Sequence, residues 1–521
     1  MDSTRKLILA VVDAMHPREL REAIASGTAP NFGELVARGA MVDDCVSSFP
    51  SVTPVASSEI LTGVGPGNHW VMGMNWFHRL ERRYVEYGSS FEATRVFGIF
   101  RAMFDLVYNM NLDHLSWEAT TVFERLADAG LRTATTPFLI FRGRTRHELS
   151  LEGLARRAAE AISFQHAVWG PKEFFYGDLY ASRATECGSA LTRPGARDEY
   201  SACAAAELIA DDCFDFLLLS LPDNDFHSHR QGPEGQSDSI AKADSAFGQV
   251  VRAAGGWDPF LDRYAVILTS DHAQVPVRHA LPLQEALAGE FEVLQPNAED
   301  PEASEIAVCP TSRAAAVYLL HCRPDHAQTH AAIRDRLGEL PGVDLAAWLE
   351  DETGPVRRPT VGPPTGPALR AVVRRGDSEL SFAPGGPLTD RRGAPWSVSG
   401  DLGALEIETG RSTLDSAGYP DALSRLWSAL ISPHAGDVLV SLAPEWECAD
   451  WGGASHVGGG SHGALAAEDS LSPLVFTGCG PADPGSRSQW ALRDIPAVVL
   501  GHFGVGFEAP DSSVGVGATG R

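Results

Sequence analysis

The chain has 521 residues and carries 42 Lys and Arg against 68 Asp and Glu, a formal net charge of −26. A hydrophobic share of 44% beside 21% charged residues suits a globular protein with a large core, built as one large domain or two to three ordinary ones. The acidic excess argues against a binder of nucleic-acid polymers, whose phosphates are held by dense Lys and Arg. It leaves a small phosphate-containing substrate open, because a metal ion supplies positive charge locally.

In chain order, residues 7–12 form the first apolar run, ended by Asp13. That run is too short for a signal-peptide core and reads as a buried parallel strand. Phe49-Pro50-Ser51-Val52-Thr53-Pro54 follows, running into residues 55–61 and closing on Thr62-Gly63. Pro54 suits the first helical position, which makes Thr53 the N-cap. The competing reading is chemical: a hydroxyl at a helix N-terminus sits in positive potential, and beside a metal ion it becomes an alkoxide nucleophile.

Residues 76–115 read as a lid-like insertion rich in Phe and Tyr. Within it, 96–112 is interrupted by Arg101, Asp105 and two Asn, so it does not span a bilayer. It is expected to be a cap helix packed on the core, with an apolar leaving-group pocket or a lipid-headgroup contact as the rival reading. Residues 119–129, ended by Gly130, and 419–431 read as helices. Residues 133–141, 214–220, 264–269, 437–442 and 473–477 read as further buried parallel strands. Strands alternating with helices predict an α/β core with a mainly parallel central sheet flanked by helices.

Between 283 and 418 the texture changes: 355–367 is rich in Pro and Gly, and 372–382 and 402–408 alternate like exposed antiparallel strands. The expected organisation is a discontinuous catalytic core over 1–282 and 419–506, an inserted cap subdomain over 283–418, and a disordered tail over 507–521. The eight cysteines are scattered with no C-x-x-C. They are expected to be idle thiols in a reducing compartment, which points to the cytoplasm.

The carboxylates fall at strand ends. Asp13 ends the first strand, Asp223 comes three residues after 214–220 in Pro222-Asp223-Asn224-Asp225-Phe226-His227, and Asp271-His272 follows 264–269. Open α/β sheets bind ligands outside the carboxyl ends of their strands. His462, in Gly459-Gly460-Ser461-His462-Gly463, follows 437–442 after a loop. Three Asp and three His suffice for two zinc-like ions, and both ligand types suit ions that keep open positions. Taken singly, an Asp at a strand end is more often a cap or turn residue, and a lone His is more often structural.

Together these segments resemble the type I phosphodiesterase/nucleotide pyrophosphatase branch of the alkaline phosphatase superfamily. Phe49-Pro50-Ser51-Val52-Thr53 through Thr62-Gly63 is similar to its nucleophile motif. Pro222-Asp223 with His227 and then Gly232-Pro233, Ser270-Asp271-His272, and Ser461-His462-Gly463 resemble its metal-ligand motifs in the family's order. The resemblance implies an alkaline-phosphatase-like fold and a two-metal hydrolase of phosphodiesters or nucleotide-type phosphates. Thr53 would be the nucleophile, passing through a phosphothreonine intermediate. One metal site would use Asp223, His227 and His462 and the other Asp13, Asp271 and His272, with Thr53 beside the ions; His229 and His456 are competing ligands. Zn2+ is the first candidate, with Mn2+ or Fe as alternatives.

Two positions depart from the pattern. Ala56 stands where many relatives hold a phosphoryl oxygen with Asn, so backbone N–H groups, the metals or Asn75 would have to support it, and Ala273 replaces the Gly of S-D-H-G. A phosphate monoesterase or a phosphonoacetate-like hydrolase on the same site is the alternative. A Ser/His hydrolase lacks its G-x-S-x-G elbow here. His227-x-His229 lies too late in the chain for an amidohydrolase centre, and a non-enzymatic binding protein would be expected to have lost ligands.

Overall fold

The computed structural model describes residues 5–151, 166–189, 196–298, 300–320, 326–366, 368–410 and 412–507. Its central nine-stranded sheet runs Trp490–Ala491, Ala40–Val46, Leu471–Thr477, Tyr264–Thr269, Lys6–Val12, Phe216–Leu221, Thr133–Thr135, Glu173–Tyr176, Tyr180–Ala181. The five strands from Tyr264–Thr269 through Glu173–Tyr176 are parallel to one another. Lys6–Val12 shows why the sheet is buried on both faces. Leu7, Leu9 and Val11 pack with Val55, Phe123 and Leu500, whereas Ile8, Ala10 and Val12 pack with Leu20, Leu208 and Phe247. Successive side chains leave a strand on opposite sides, and each buried Leu or Ile contributes about 1.5–3 kcal/mol relative to exposure. Helices Thr53–Thr62, Val122–Asp128 and Ile495–His502 cover one face, and Pro17–Ala25, Ala196–Ala210 and Gln236–Ala253 the other.

The helix expected over 119–129 starts later, at Val122, where Thr121 and Glu124 form a capping box. Glu124 N donates to Thr121 Oγ1 at 3.1 Å and Thr121 N to Glu124 Oε2 at 2.9 Å, and Gly130 follows with φ +83°.

A second, ten-stranded sheet is almost wholly antiparallel and takes most of its strands from the expected insertion. Val438–Leu442, expected as a parallel strand of the main sheet, lies instead between Ala314–Leu319 and Val343–Asp351, antiparallel to both. Its neighbour Asp437 accepts from Leu319 N at 2.7 Å and pairs with Arg79 at 3.0 Å, anchoring it there. Leu471–Thr477 does join the main sheet, but antiparallel to both neighbours. A short apolar run states that a strand is buried; it does not state which sheet or direction. Residues 402–405, expected in a strand, form a 3-10 turn because Asp401 Oδ1 accepts from Gly403 N at 2.9 Å.

In the lid-like region the hairpin Asn75–His78/Arg83–Glu86 is followed by helices Phe91–Phe97 and Ile99–Phe104 and a π-helix, Asp105–His114. Phe97 packs on Tyr84 and Trp451, and Tyr108 on Phe104, so the segment is a helical cover on the core. Cys187 and Cys203 form a disulfide, which corrects the expectation of idle thiols throughout. A sequence separation of 16 with no motif gives no sign of such pairing. Among the described residues no helix is long and apolar enough to cross a membrane. The expected tail, apart from Phe507, lies outside the described residues.

Candidate metal and nucleophile site

Register brings three strand ends together: Val12 pairs with Leu221, and Val11 with Thr269. Asp13 leaves the first strand with its N–H on Leu221 O at 3.1 Å. Asp271 accepts from Ala14 N at 3.2 Å, and Ser270 Oγ from Met15 N at 2.8 Å. The ligand-type atoms of Asp13, Asp271 and His272 lie within 4.8 Å of one another.

The second donor group corrects the sequence reading in part. It is Asp225, His229 and His462 that converge within 4.8 Å; Asp223 and His227 do not join them. The segment forms the helix Asp223–Gln231 and contains two D-x-x-x-H pairs offset by two residues. Each pair shares a helix face, and an offset of two turns that face by about 200°. Spacing alone therefore supports both pairs equally. Asp223 is engaged elsewhere: Oδ1 accepts from Arg197 Nε at 2.9 Å and Oδ2 from Asp198 N at 2.9 Å. His229 Nε2 and His462 Nε2 lie 3.4 and 3.7 Å from Asp225 Oδ1. Gln274 Nε2, which sequence reasoning did not single out, donates to the same oxygen at 2.5 Å.

The three histidines share one arrangement. His229 Nδ1 is 2.8 Å from Gly460 O, His462 Nδ1 2.9 Å from Ser51 O, and His272 Nδ1 3.2 Å from Ala273 O. A carbonyl only accepts, so in each neutral ring Nδ1 carries the hydrogen and Nε2 presents its lone pair to the site. The rings of His272 and His462 stack at 3.7 Å, which sets the two donor groups side by side. His456, the other competitor, stacks on His229 at 4.0 Å and holds Glu447 at 3.0 Å through Nδ1.

Thr53 is the first residue of its helix and Val52, in extended conformation, is the N-cap. Val52 O accepts from Ala56 N at 3.0 Å, so the helix begins one residue earlier than a Thr53 cap requires. The Thr53 hydroxyl, free of a capping bond, lies 3.1 Å from His272 Nε2. Its loop is tied to both donor groups: Ser47 Oγ donates to Asp271 O at 2.5 Å and Ser51 O accepts from His462 Nδ1 at 2.9 Å, and Phe49-Pro50 is a cis peptide. Gly463 has φ +122°, and a Cβ there would lie 3.1 Å from Arg313 N and from Thr311 O, so the His-Gly pair has a steric reason. Asn75 is buried; its NH2 donates to Val85 O at 2.9 Å, leaving Oδ1 as the unpartnered end.

Electrostatics mark the cluster as short of positive charge. Burial, reinforced by Asp271 and Asp225, raises the Asp13 pKa well above the usual carboxylate range, and burial also raises Asp271. Burial acts the same way on Asp225, but His229 and His462 outweigh it and hold that carboxyl well below the usual range. His229 is raised, Asp225 overcoming the effect of burial, whereas burial lowers His272 to about 4.

A profile of the type I phosphodiesterase / nucleotide pyrophosphatase family matches residues 7–361. The chain belongs to that family, and is a hydrolase acting on phosphoric ester bonds. A comparison with curated protein sequences finds no match. Among solved structures the chain resembles phosphonoacetate hydrolase from Sinorhizobium meliloti 1021 in complex with phosphonoformate, at 15% identity and TM-score 0.53, covering 96% of both chains. It also resembles murine ectonucleotide pyrophosphatase / phosphodiesterase 5 in an inactive threonine-to-alanine form with AMP, at 12% identity and TM-score 0.54, again over 96% of both chains. The fold is thus alkaline-phosphatase-like.

Proposed function

We propose that the protein is a metal-dependent phosphoesterase that cleaves a phosphodiester or nucleotide-type phosphate bond through a phosphothreonine at Thr53. One observation carries the reading: the three histidine Nε2 atoms converge on the carboxylates of Asp13, Asp271 and Asp225, and one of them lies 3.1 Å from the Thr53 hydroxyl. The donors fit two divalent cations, one held by Asp13, Asp271 and His272 and the other by Asp225, His229 and His462. Asp13 Oδ1 is buried with no hydrogen-bond partner, and its carboxylate crowds that of Asp271; a cation relieves both. Mixed imidazole and carboxylate donors suit Zn2+, with Mn2+ and Fe as alternatives.

When bound, such ions lower the pKa of a coordinated hydroxyl and neutralise charge on the attacking and leaving oxygens. Thr53 Oγ forms a bond to phosphorus while the ester oxygen leaves with the bonding pair. Water then cleaves the phosphothreonine and restores the hydroxyl, so two in-line displacements give retention at phosphorus. The positive end of the Thr53–Thr62 helix dipole favours the developing negative charge on Oγ. Asn75 spends one N–H of its amide on Val85 O, so a single N–H is what it can still offer an oxyanion. The AMP complex of the murine neighbour, and its inactive threonine-to-alanine form, support this reading. The phosphonoacetate hydrolase likeness supports the alternative, a monoester or phosphonate hydrolase on the same residues. The cytoplasmic expectation rested on idle thiols, and the Cys187–Cys203 disulfide weakens it.

The test combines metal analysis with hydrolysis of matched mono- and diester chromogenic substrates. Chelation should abolish turnover and a divalent ion restore it. Thr53→Ala should lower kcat by about a thousandfold or more with two ions still bound. A chelator-resistant activity, or an active Thr53→Ala variant, would overturn the mechanism.

A further inference from the structure

Asp223 carries an informative partner. Arg197, at the start of the helix Ala196–Ala210, is fixed along one edge by its Nε bond to Asp223 Oδ1 at 2.9 Å. Its guanidinium carbon lies 5.6 Å from the Phe226 ring centroid, and the side chain is 41% exposed against 3% for Asp223. Asp223 is itself clamped, its Oδ2 accepting from Asp198 N at 2.9 Å and its N–H donating to Asp198 Oδ1 at 3.0 Å. Among the described residues Nη1 and Nη2 of Arg197 meet no hydrogen-bond acceptor. The result is a guanidinium held in place at Nε with its outer donors free, a shape matched to phosphate or carboxylate.

Its position ties it to the candidate site. The residue after Asp223, Asn224, donates to Asp13 O at 2.8 Å, and the next is Asp225. Val12 pairs with Leu221, which sets Asp13 beside the chain that enters Asp223. Arg230 lies 5.7 Å from the same Phe226 ring. In a chain of net charge −26, two guanidinium groups therefore meet at Phe226, on the helix that also bears Asp225 and His229.

We propose that Arg197 is a specificity-determining residue whose Nη edge binds a second anionic group of the substrate, a phosphate or a carboxylate lying just beyond the phosphoryl group attacked by Thr53. The proposal rests on the phosphoesterase reading and narrows it to polyanionic substrates over singly charged diesters.

Binding of two probe pairs to the full-length protein in excess divalent metal tests it. AMP against ADP differs by one phosphate, and methylphosphonate against phosphonoacetate by one carboxylate. In the wild type one added group should tighten binding about tenfold or more, and which pair gains identifies the group. In Arg197→Gln that gain should shrink to about threefold or less, and Arg197→Lys should recover part of it. A gain that survives in Arg197→Gln, or no gain from either group in the wild type, would overturn the proposal. So would loss of bound metal in both variants, which would assign Arg197 to holding the site together. Failure of the phosphoesterase reading would show separately, as wild-type protein that binds the probes but hydrolyses no ester.

Discussion

His227 and His229 leave the helix Asp223–Gln231 about 200° apart, and only one of them can serve the cluster around Asp225. His229 holds Gly460 O through Nδ1 at 2.8 Å and brings Nε2 to 3.4 Å from Asp225 Oδ1. His229→Ala removes one of the three donors in that group and the ring that holds the Asp225 carboxyl down. Loss of a residue that merely orients a ligand typically weakens metal binding by 10–100-fold, so loss of the ligand itself should cost at least about 100-fold, or about 2.7 kcal/mol. His227→Ala deletes a ring outside the cluster and should change metal affinity by less than about threefold, within about 0.7 kcal/mol. The assay is metal content per chain after dialysis against a graded chelator series, with circular dichroism confirming the fold. His229→Ala should keep one ion where the wild type keeps two, and His227→Ala should keep both. The opposite pattern would refute the placement of the second site.

Two further outcomes follow from buried groups near Thr53. Burial holds Glu59, on the helix Thr53–Thr62, up at about 7 against the pull of Arg493 and Arg425. A raised folded-state pKa favours the neutral acid, so stability falls by about 3 kcal/mol as pH rises from the ordinary carboxyl range through 7. Glu59→Gln should therefore raise Tm relative to wild type at pH 8 more than at pH 5, and a pH-independent difference would rule out this account. Gly463→Ala forces a side chain into φ +122° against Arg313 N and Thr311 O. It should cost about 1–3 kcal/mol in urea unfolding and weaken metal binding through His462; unchanged values in both would show that the backbone tolerates a Cβ there.

Much of the site is legible in the chain. Asp13, Asp271 and His272 sit directly at the ends of apolar runs, so identifying the strand locates the candidate residue, and those residues do converge. Thr53 is marked by Pro54 and the closing Thr62-Gly63, though its hydroxyl turns to His272 instead of capping the helix. The residues that meet His462 lie two positions beyond the expected pair because Asp223 and Asp225 carry identical local signals. What separates them is Arg197 and Asp198 on one side and Gly460 on the other, all distant in sequence.

By itself the sequence determined what local pattern can encode: buried strands, helix starts, the order of carboxylates and histidines, and a −26 chain whose phosphate chemistry needs cations. Tertiary structure alone decided which sheet took Val438–Leu442, which way Leu471–Thr477 runs, which cysteines pair, and which face of Asp223–Gln231 meets His462. The reason is physical. Burial and period are properties of a segment, whereas strand direction, sheet membership and helix rotation are set by the partner each segment packs against.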